Sequence, residues 1–483
     1  QRRELKHFHY YLCRQLKGGG MEIYMKKEPF MSENISSHSQ PVVGIIAEYN
    51  PFHYGHAFHI QEAKRLCNAS YCVVVMSGDF VQRGAPAVFD KYSRTFMALS
   101  SGADLVVEMP PAFALASAED FAFCGVALLE SLGVVTHLCF GSECGHVAPL
   151  MDLARILACE PEPFRTALRR EVSSGLSYPK ARQKALAQYL ASCRASGNAC
   201  QSLVSCHTPE NLDALLTSPN NTLGVEYLKA LIKRGSSIIP VTIPRQGAGY
   251  HAKSLTEGYS SATAIRRIIF QWNRQRENPS SPCDPLSFDS DALMAAVRPL
   301  VPLSCMETIR SCVPVGADDF SLLLSCRLLE LSRQGAGLDQ FADVSPDLAL
   351  RIARHTLRFS SFEERAAALK TRQYTYTRVS RCLMHILLGI TRRDLDSRKG
   401  LGYGSYIRIL GFRRDSAPLL GNIKRHAALP LVTKTADARR ILSPQALEQF
   451  DHDLFCSHLY QSVVQHKTHT LPKNEYTRSL IIV

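Results

Sequence analysis

The sequence predicts an α/β fold: a parallel sheet flanked by helices in the first part of the chain, then a mostly α-helical C-terminal part. Three observations predict it. From Pro41 onward, short apolar runs alternate with helix-like stretches, at the spacing of right-handed βαβ units. The unusual polar residues follow the ends of those runs, where open parallel sheets bind ligands. Beyond residue 288 helical patterning takes over, with a strongly basic segment in its middle.

Each element has its own warrant. Val42–Ala47 is an apolar run ending in a turn, and His56–Cys67 suits a helix. Tyr71–Met76 (YCVVVM) is short and β-branched, hence a strand. Lys91–Ser101 reads as a helix, Asp104–Met109 (DLVVEM) as a strand, Ala118–Leu132 as a helix and His137–Phe140 as a fourth strand. Residues 147–235 are mainly helical, with breaks at GLSYPKAR (Gly175–Arg182) and SPNNTLG (Ser218–Gly224). Ile238–Ile243 is a last apolar strand, and YSSATAIRR (Tyr259–Arg267) is a polar turn opening a helix. The polar stretch from Asn273 to Asp291 predicts a boundary between domains 41–272 and 288–483. Residues 1–40, with the Gly18-Gly19-Gly20 run and a Ser-rich tail, read as a disordered or non-native extension.

Composition narrows the class. At 483 residues, 46% hydrophobic and 20% charged, the chain can bury sizeable cores. No apolar run reaches the ~18 residues a membrane span needs, so no membrane partner is expected. The sixteen Cys show no C-x-x-C pair and no zinc spacing, which predicts reduced thiols in a cytoplasmic protein and no metal ligands. Net charge is +13. From Arg351 to Arg414 fifteen Lys/Arg face four Asp/Glu, a balance of +11 in one segment threaded with Tyr374, Tyr376, Tyr403, Tyr406 and Phe412. Such a segment suits a polyanion; its bland alternative is a solvated helical surface.

The chemistry hangs on GIIAEYNPFHYGHAFHIQEA, Gly44 to Ala63. A strand that turns into a helix presents backbone N–H groups and a dipole that attract phosphate. Gly55 permits close approach. His53 and His56 bracket it, so both imidazoles can donate to oxygens where charge builds during displacement at phosphorus.

His53-Tyr54-Gly55-His56 resembles the H-x-G-H signature of the HIGH-type nucleotidyltransferase superfamily, and Ser260–Arg266 (SSATAIR) resembles its partner motif. EYNPFHYGH, MSGDFVQRG, GADLVVEMP, FGSE, SPNNTLG, GAGYH, SATAIR and RQYTYTRVSR occur in that order. Together they resemble the tRNA(Met) cytidine acetate ligase family over about residues 42 to 440. The resemblance implies a Rossmann-like HIGH-type catalytic domain that uses ATP to activate acetate as acetyl-adenylate, then acetylates N4 of the wobble cytidine (C34) of elongator tRNA(Met). It implies catalytic roles for His53, His56, Thr263 and Arg266. It carries ATP contacts onto Ile46, Ala47, Glu48, Tyr49, Asn50, Pro51, Phe52, His53, Tyr54, Gly55, His56, Ala57, Phe58 and His59, and onto Gly141, Asn221, Arg245, Ser261, Thr263 and Arg266, with Asn220 as the alternative to Asn221. Mg²⁺ is expected with ATP, although no carboxylate cluster commits the protein to holding it.

Acetate needs no general base, being ionised at pH 7; the protein must orient it and stabilise pyrophosphate as it leaves. Ser77, Gln82 and Arg83 are candidates for holding acetate or cytidine, and Glu48 either orients a ligand or caps the turn. Asp79 departs from the family pattern. Lys91 and Arg94 either face the site or are solvated surface. Lys370, Arg372, Tyr374, Tyr376, Arg378 and Arg381 interleave cations with aromatics, as a tRNA-binding stretch would; the alternative is a helix with its Tyr packed inward. Two other functions fit parts of the pattern. A small-molecule adenylyltransferase, acting on a nucleotide or pantetheine phosphate, leaves the basic segment unused. A nucleic-acid-binding protein with a degenerate nucleotide site leaves His53, His56, Thr263 and Arg266 unexplained.

Overall fold

The computed structural model describes residues 8–17, 20–29, 40–195, 215–245, 262–277 and 290–483. Two units are distinguishable, residues 1–40 and residues 41–483. In the first, β1 (Phe8–Lys17) and β2 (Gly20–Pro29) pair antiparallel from Phe8↔Pro29 to Lys17↔Gly20. A hairpin therefore stands within the stretch read as an extension.

The second unit is built on a mixed sheet. Strands β3 (Val42–Ala47), β4 (Tyr71–Ser77), β7 (Leu105–Met109), β8 (His137–Ser142) and β9 (Ile239–Pro244) are parallel, in the order β7-β4-β3-β8-β9. Between β4 and β7 a small hairpin, β5 (Phe80–Val81) with β6 (Ala85–Pro86), stands outside the sheet. The helices between strands are α1 (Tyr54–Leu66), α2 (Lys91–Ser100), the one-turn α3 (Pro111–Ala114) and α4 (Ala118–Ser131). After β8 come α5 (Val147–Cys159), α6 (Glu162–Ser173), α7 (Tyr178–Ala195) and α8 (Pro219–Arg234). SPNNTLG is therefore the start of a helix: Pro219 occupies its first turn, where a missing N–H costs nothing. The next helix is α9 (Ala262–Glu277).

Both faces of the sheet are buried, as parallel strands require. Val73, Val75, Leu105 and Val107 join one apolar core, with α4, α5 and α8. Their alternate neighbours Cys72, Val74, Met76 and Val106 join the other, with α1, α2 and α9. Asp90 starts α2 by accepting the Tyr92 and Ser93 amides at 2.9 and 3.1 Å.

The C-terminal part is mostly helical, yet it also completes the sheet. β10 (Ile407–Phe412) runs antiparallel to β7, and β11 (Leu431–Val432) and β12 (Ile481–Ile482) both pair with β10. Residues 41–483 are one compact unit. No helix among the described residues is long and apolar enough to cross a membrane.

Candidate active site

The strand order places the reversal of connection between β3 and β8, and a crevice opens at such a point beyond the carboxyl ends of the strands. Here it is a cavity of about 1330 Å³, with Ile46–Asn50 at and just beyond the end of β3 on one side and Phe140, Gly141 and Glu143 at and just beyond the end of β8 on the other. Three devices hold its rim. Arg94 of α2 donates to the carbonyls of Glu48, Ser77, Gly78 and Phe89. Glu48 accepts the Gln82 amide at 2.8 Å, which is its capping role. Asn50 accepts the Val88 amide at 2.7 Å.

His53 is the N-cap of α1, and its Nδ1 accepts the Gly55 N–H at 3.1 Å. That bond leaves the proton of the neutral ring on Nε2, a donor. A Cβ at Gly55 would press on the His53 ring, so glycine serves this cap directly. His56 stacks on His53 with ring centroids 3.7 Å apart. Both line the cavity, together with His59. Nδ1 of His56 and Nε2 of His59 are buried without a partner. Burial first, then Arg245 and Arg266, pushes the His53 imidazole down to about 3. Burial first, then Arg245, brings His59 to about 4, and burial and its neighbours hold His56 well below its ordinary value. All three are neutral donors at pH 7.

The helix-start amides play a smaller part than the turn suggests. Tyr54 N–H goes to the Leu300 carbonyl at 3.1 Å, Gly55 N–H to His53, and the His56 and Ala57 N–H groups to the His53 carbonyl at 2.9 and 3.2 Å. Positive charge reaches the cavity on side chains instead. Arg266 donates to the Asn50 carbonyl at 2.6 Å and to Thr263 Oγ1 at 3.1 Å. Arg245 donates to Asn220 Oδ1 at 2.8 Å. Arg83, Arg245, Thr263 and Arg266 all line the cavity.

The structure sorts the remaining candidates. Ile46, Ala47, Glu48, Tyr49, Asn50, Phe58 and Gly141 line the cavity, whereas Pro51, Phe52, Tyr54 and Ala57 do not. Phe52 belongs to the core, because the turn needs an apolar anchor. Asn220 lines the cavity. Asn221 is buried, its Oδ1 taken by the Glu143 and Cys144 amides at 2.9 and 3.1 Å, so of the two side chains it is Asn220 that faces the cavity. Ser261 lies outside the described residues, as does the GAGYH stretch. Gln82 lines the cavity and Ser77 does not.

Asp79, Lys91 and Arg94 are neither solvated nor lining the cavity: all are buried. Lys91 Nζ meets Glu108 at 2.8 Å, Glu475 at 3.2 Å and Ser457 Oγ at 2.7 Å. Arg408 joins Glu108 at 3.3 Å and also pairs with Glu475. Glu108 is one of the two acids of GADLVVEMP; the other, Asp104, accepts the Cys72 N–H at 2.7 Å outside this network.

The cationic-aromatic stretch divides. Lys370, Arg372 and Tyr376 are exposed. Tyr374 is only 7% exposed and its hydroxyl meets Ser345 Oγ at 2.7 Å, so it offers no face to a base. Arg378 lies over the Tyr374 ring at 5.1 Å and Arg381 reaches Asp343 at 3.4 Å; both are half-buried struts. Asp318, Asp319, Glu363, Thr377 and Lys467 also line the cavity, and none was legible from sequence, since no spacing connects them to the turn.

A doubly wound sheet whose switch-point cavity is floored by paired imidazoles is the architecture of a HIGH-class nucleotidyltransferase, and the HIGH Nucleotidyl Transferase family model matches residues 41–475. The chain is 38% identical over 442 residues to the tRNA(Met) cytidine acetate ligase of Acetivibrio thermocellus, covering 92% of this chain and 100% of that one. It is 33% identical to the tRNA(Met) cytidine acetate ligase of Alkaliphilus metalliredigens, over 91% of this chain and 98% of that one. It also resembles the crystal structure of Thermotoga maritima TmcAL bound with alpha-thio ATP, with a TM-score of 0.77, 29% identity, and coverage of 92% of this chain and 99% of that one. The chain belongs to the tRNA(Met) cytidine acetate ligase family.

Proposed function

We propose that the protein activates acetate with ATP and acetylates N4 of the wobble cytidine, C34, of elongator tRNA(Met). The observation that carries this reading is the stacked His53–His56 pair facing Arg245 and Arg266 across one cavity, in a chain matching the family over nearly its whole length. In the first step an acetate oxygen attacks the α-phosphorus, the bond to the bridging oxygen breaks, and pyrophosphate leaves. His53 and His56, neutral and donating, suit the charge that builds on phosphate oxygens. Arg266, anchored on Asn50 and Thr263, suits the leaving pyrophosphate, and Arg245 with Asn220 suits a second anionic group. In the second step the cytidine N4 attacks the acetyl carbon, the C–N bond forms, AMP leaves, and the N4 proton passes to solvent.

Among the described residues no group of three or more His, Cys, Asp or Glu is placed to hold a metal ion. Mg²⁺, in this reading, arrives on the ATP phosphates, where it neutralises their charge. The division of labour between residues 41–272 and the basic stretch beyond 288 belongs to the same proposal. The test is incubation with ATP, labelled acetate and total tRNA, followed by nucleoside analysis. Label is expected in N4-acetylcytidine. Transfer of AMP to a nucleotide or pantetheine phosphate, with no acetyl transfer, would establish a small-molecule adenylyltransferase instead.

A further inference from the structure

Two strongly exposed apolar side chains near the cavity stand on one short loop. Leu357 is 73% exposed and Phe359 71%, whereas the other exposed Phe among the described residues, Phe96 and Phe455, stand at 39% and 48%. The loop is nevertheless held firmly. Arg365, 1% exposed, donates to the His355 carbonyl at 2.7 Å and the Arg358 carbonyl at 2.9 Å, and it lies 3.4 Å from Ser325 Oγ. Beyond the loop, Ser361 caps the helix Phe362–Leu369, with Glu364 closing the capping box. A buried guanidinium spent on two loop carbonyls fixes the backbone that carries Phe359 outward.

The surroundings are cationic. Between Arg351 and Arg372 the chain has six basic residues and two acidic ones, Glu363 and Glu364. Arg354 and Arg358 are exposed beside the two apolar side chains. Glu363 lines the cavity, and it lies four residues from Phe359, a span of at most about 14 Å. An aromatic face among arginines, presented from a fixed loop four residues from a cavity-lining side chain, matches an unpaired base with its phosphates better than it matches a protein surface.

We infer that the loop from His355 to Ser360 is a base-stacking shelf for looped RNA, on which Phe359 takes the face of an unpaired base while Arg354 and Arg358 take the adjoining phosphates. The inference rests on the tRNA reading proposed above and names the surface that would hold the RNA. It moves the stacking aromatic from Tyr374, which is buried, to Phe359.

The experiment uses the full chain, a short RNA hairpin with an unpaired loop, and a fully paired RNA duplex of equal length. Phe359→Ala should weaken hairpin binding by about 5- to 150-fold and leave duplex binding unchanged; Phe359→Trp should restore it. Arg354→Gln with Arg358→Gln should weaken both RNAs and lower the log–log salt slope by up to about 0.7–0.9 for each phosphate no longer neutralised. Acetate-dependent ATP–pyrophosphate exchange without RNA should be normal in every variant. Unchanged hairpin affinity in Phe359→Ala, or equal weakening for hairpin and duplex, overturns the shelf. So does a change of sedimentation coefficient in Phe359→Ala with RNA binding intact, which would make the patch an interface between copies of this chain. Failure of the shelf leaves wild-type tRNA acetylation untouched, whereas failure of the functional reading shows as absent acetylation by the wild type.

Discussion

At His53 one backbone bond decides which ring nitrogen carries the proton. The Gly55 N–H on Nδ1 selects the tautomer, and stacking on His56 fixes the ring plane. Replacing either imidazole with Ala removes a preorganised donor, and should lower acetate-dependent ATP–pyrophosphate exchange by about 10²–10³ with the circular dichroism spectrum unchanged. Near-normal exchange would refute the role. Burial of the three histidines has a second effect. An unfolded imidazole titrates near 6.5, the folded His53 near 3 and the folded His59 near 4. Between those values the unfolded chain binds more protons, so stability falls as pH drops from about 6.5 towards 4. His59→Asn should make that limb of the melting temperature against pH shallower. A slope identical to the wild type would show that other groups govern it.

Between the strand-end loop and the helix Tyr376–Leu388 stands the β5–β6 hairpin. Gly84 has φ 77°, and a Cβ there would run into the backbone at Ser380 and Arg381. The same turn carries Gln82, whose amide is tied to Glu48. Gly84→Ala therefore combines a left-handed backbone penalty with overpacking, and should cost about 2–4 kcal/mol. The substitution should also loosen the cavity rim through Glu48, raising the KM for ATP. A variant with unchanged urea-unfolding midpoint would show that hairpin and helix do not press on each other. MSGDFVQRG was recognisable as a motif. The helix it presses upon lies some three hundred residues away, beyond any local pattern.

Across the whole molecule, distant parts of the chain's second unit meet in the Lys91–Glu108–Arg408–Glu475 network. Lys91 and Arg408 hold the Glu475 carboxylate down to about 2 against the opposing effect of its burial. Removing it leaves two buried cations facing mainly Glu108, so Glu475→Ala should destabilise by about 3–5 kcal/mol, measured by urea unfolding. Glu475→Gln keeps the shape and should still lose most of that stability. The stabilisation from this carboxylate is present above its ordinary value of 4.5 and is lost as pH falls towards about 2. A stable Glu475→Ala protein would mean that the network relaxes with water at no cost. Its effect on the site would be indirect, because β10 and β12 carry the antiparallel edge of the sheet whose middle forms the cavity.

What the sequence determined by itself was local: β3 and its turn, the HYGH pair with its glycine, the alternating βα units and the helical C-terminal part. Those follow from neighbours within a few residues, where periodicity, capping and turn chemistry act. Tertiary structure decided the rest. It turned Asn220 into the cavity and Asn221 away, buried Tyr374 and exposed Phe359, and drew Lys91 and Arg94 inward. It also returned β10, β11 and β12 to the sheet. Each of these depends on partners far along the chain, such as Arg408 for Glu108 or Leu300 for Tyr54. The burial of a side chain and the satisfaction of its polar atoms are set by which surfaces meet, and a linear pattern carries no record of that meeting.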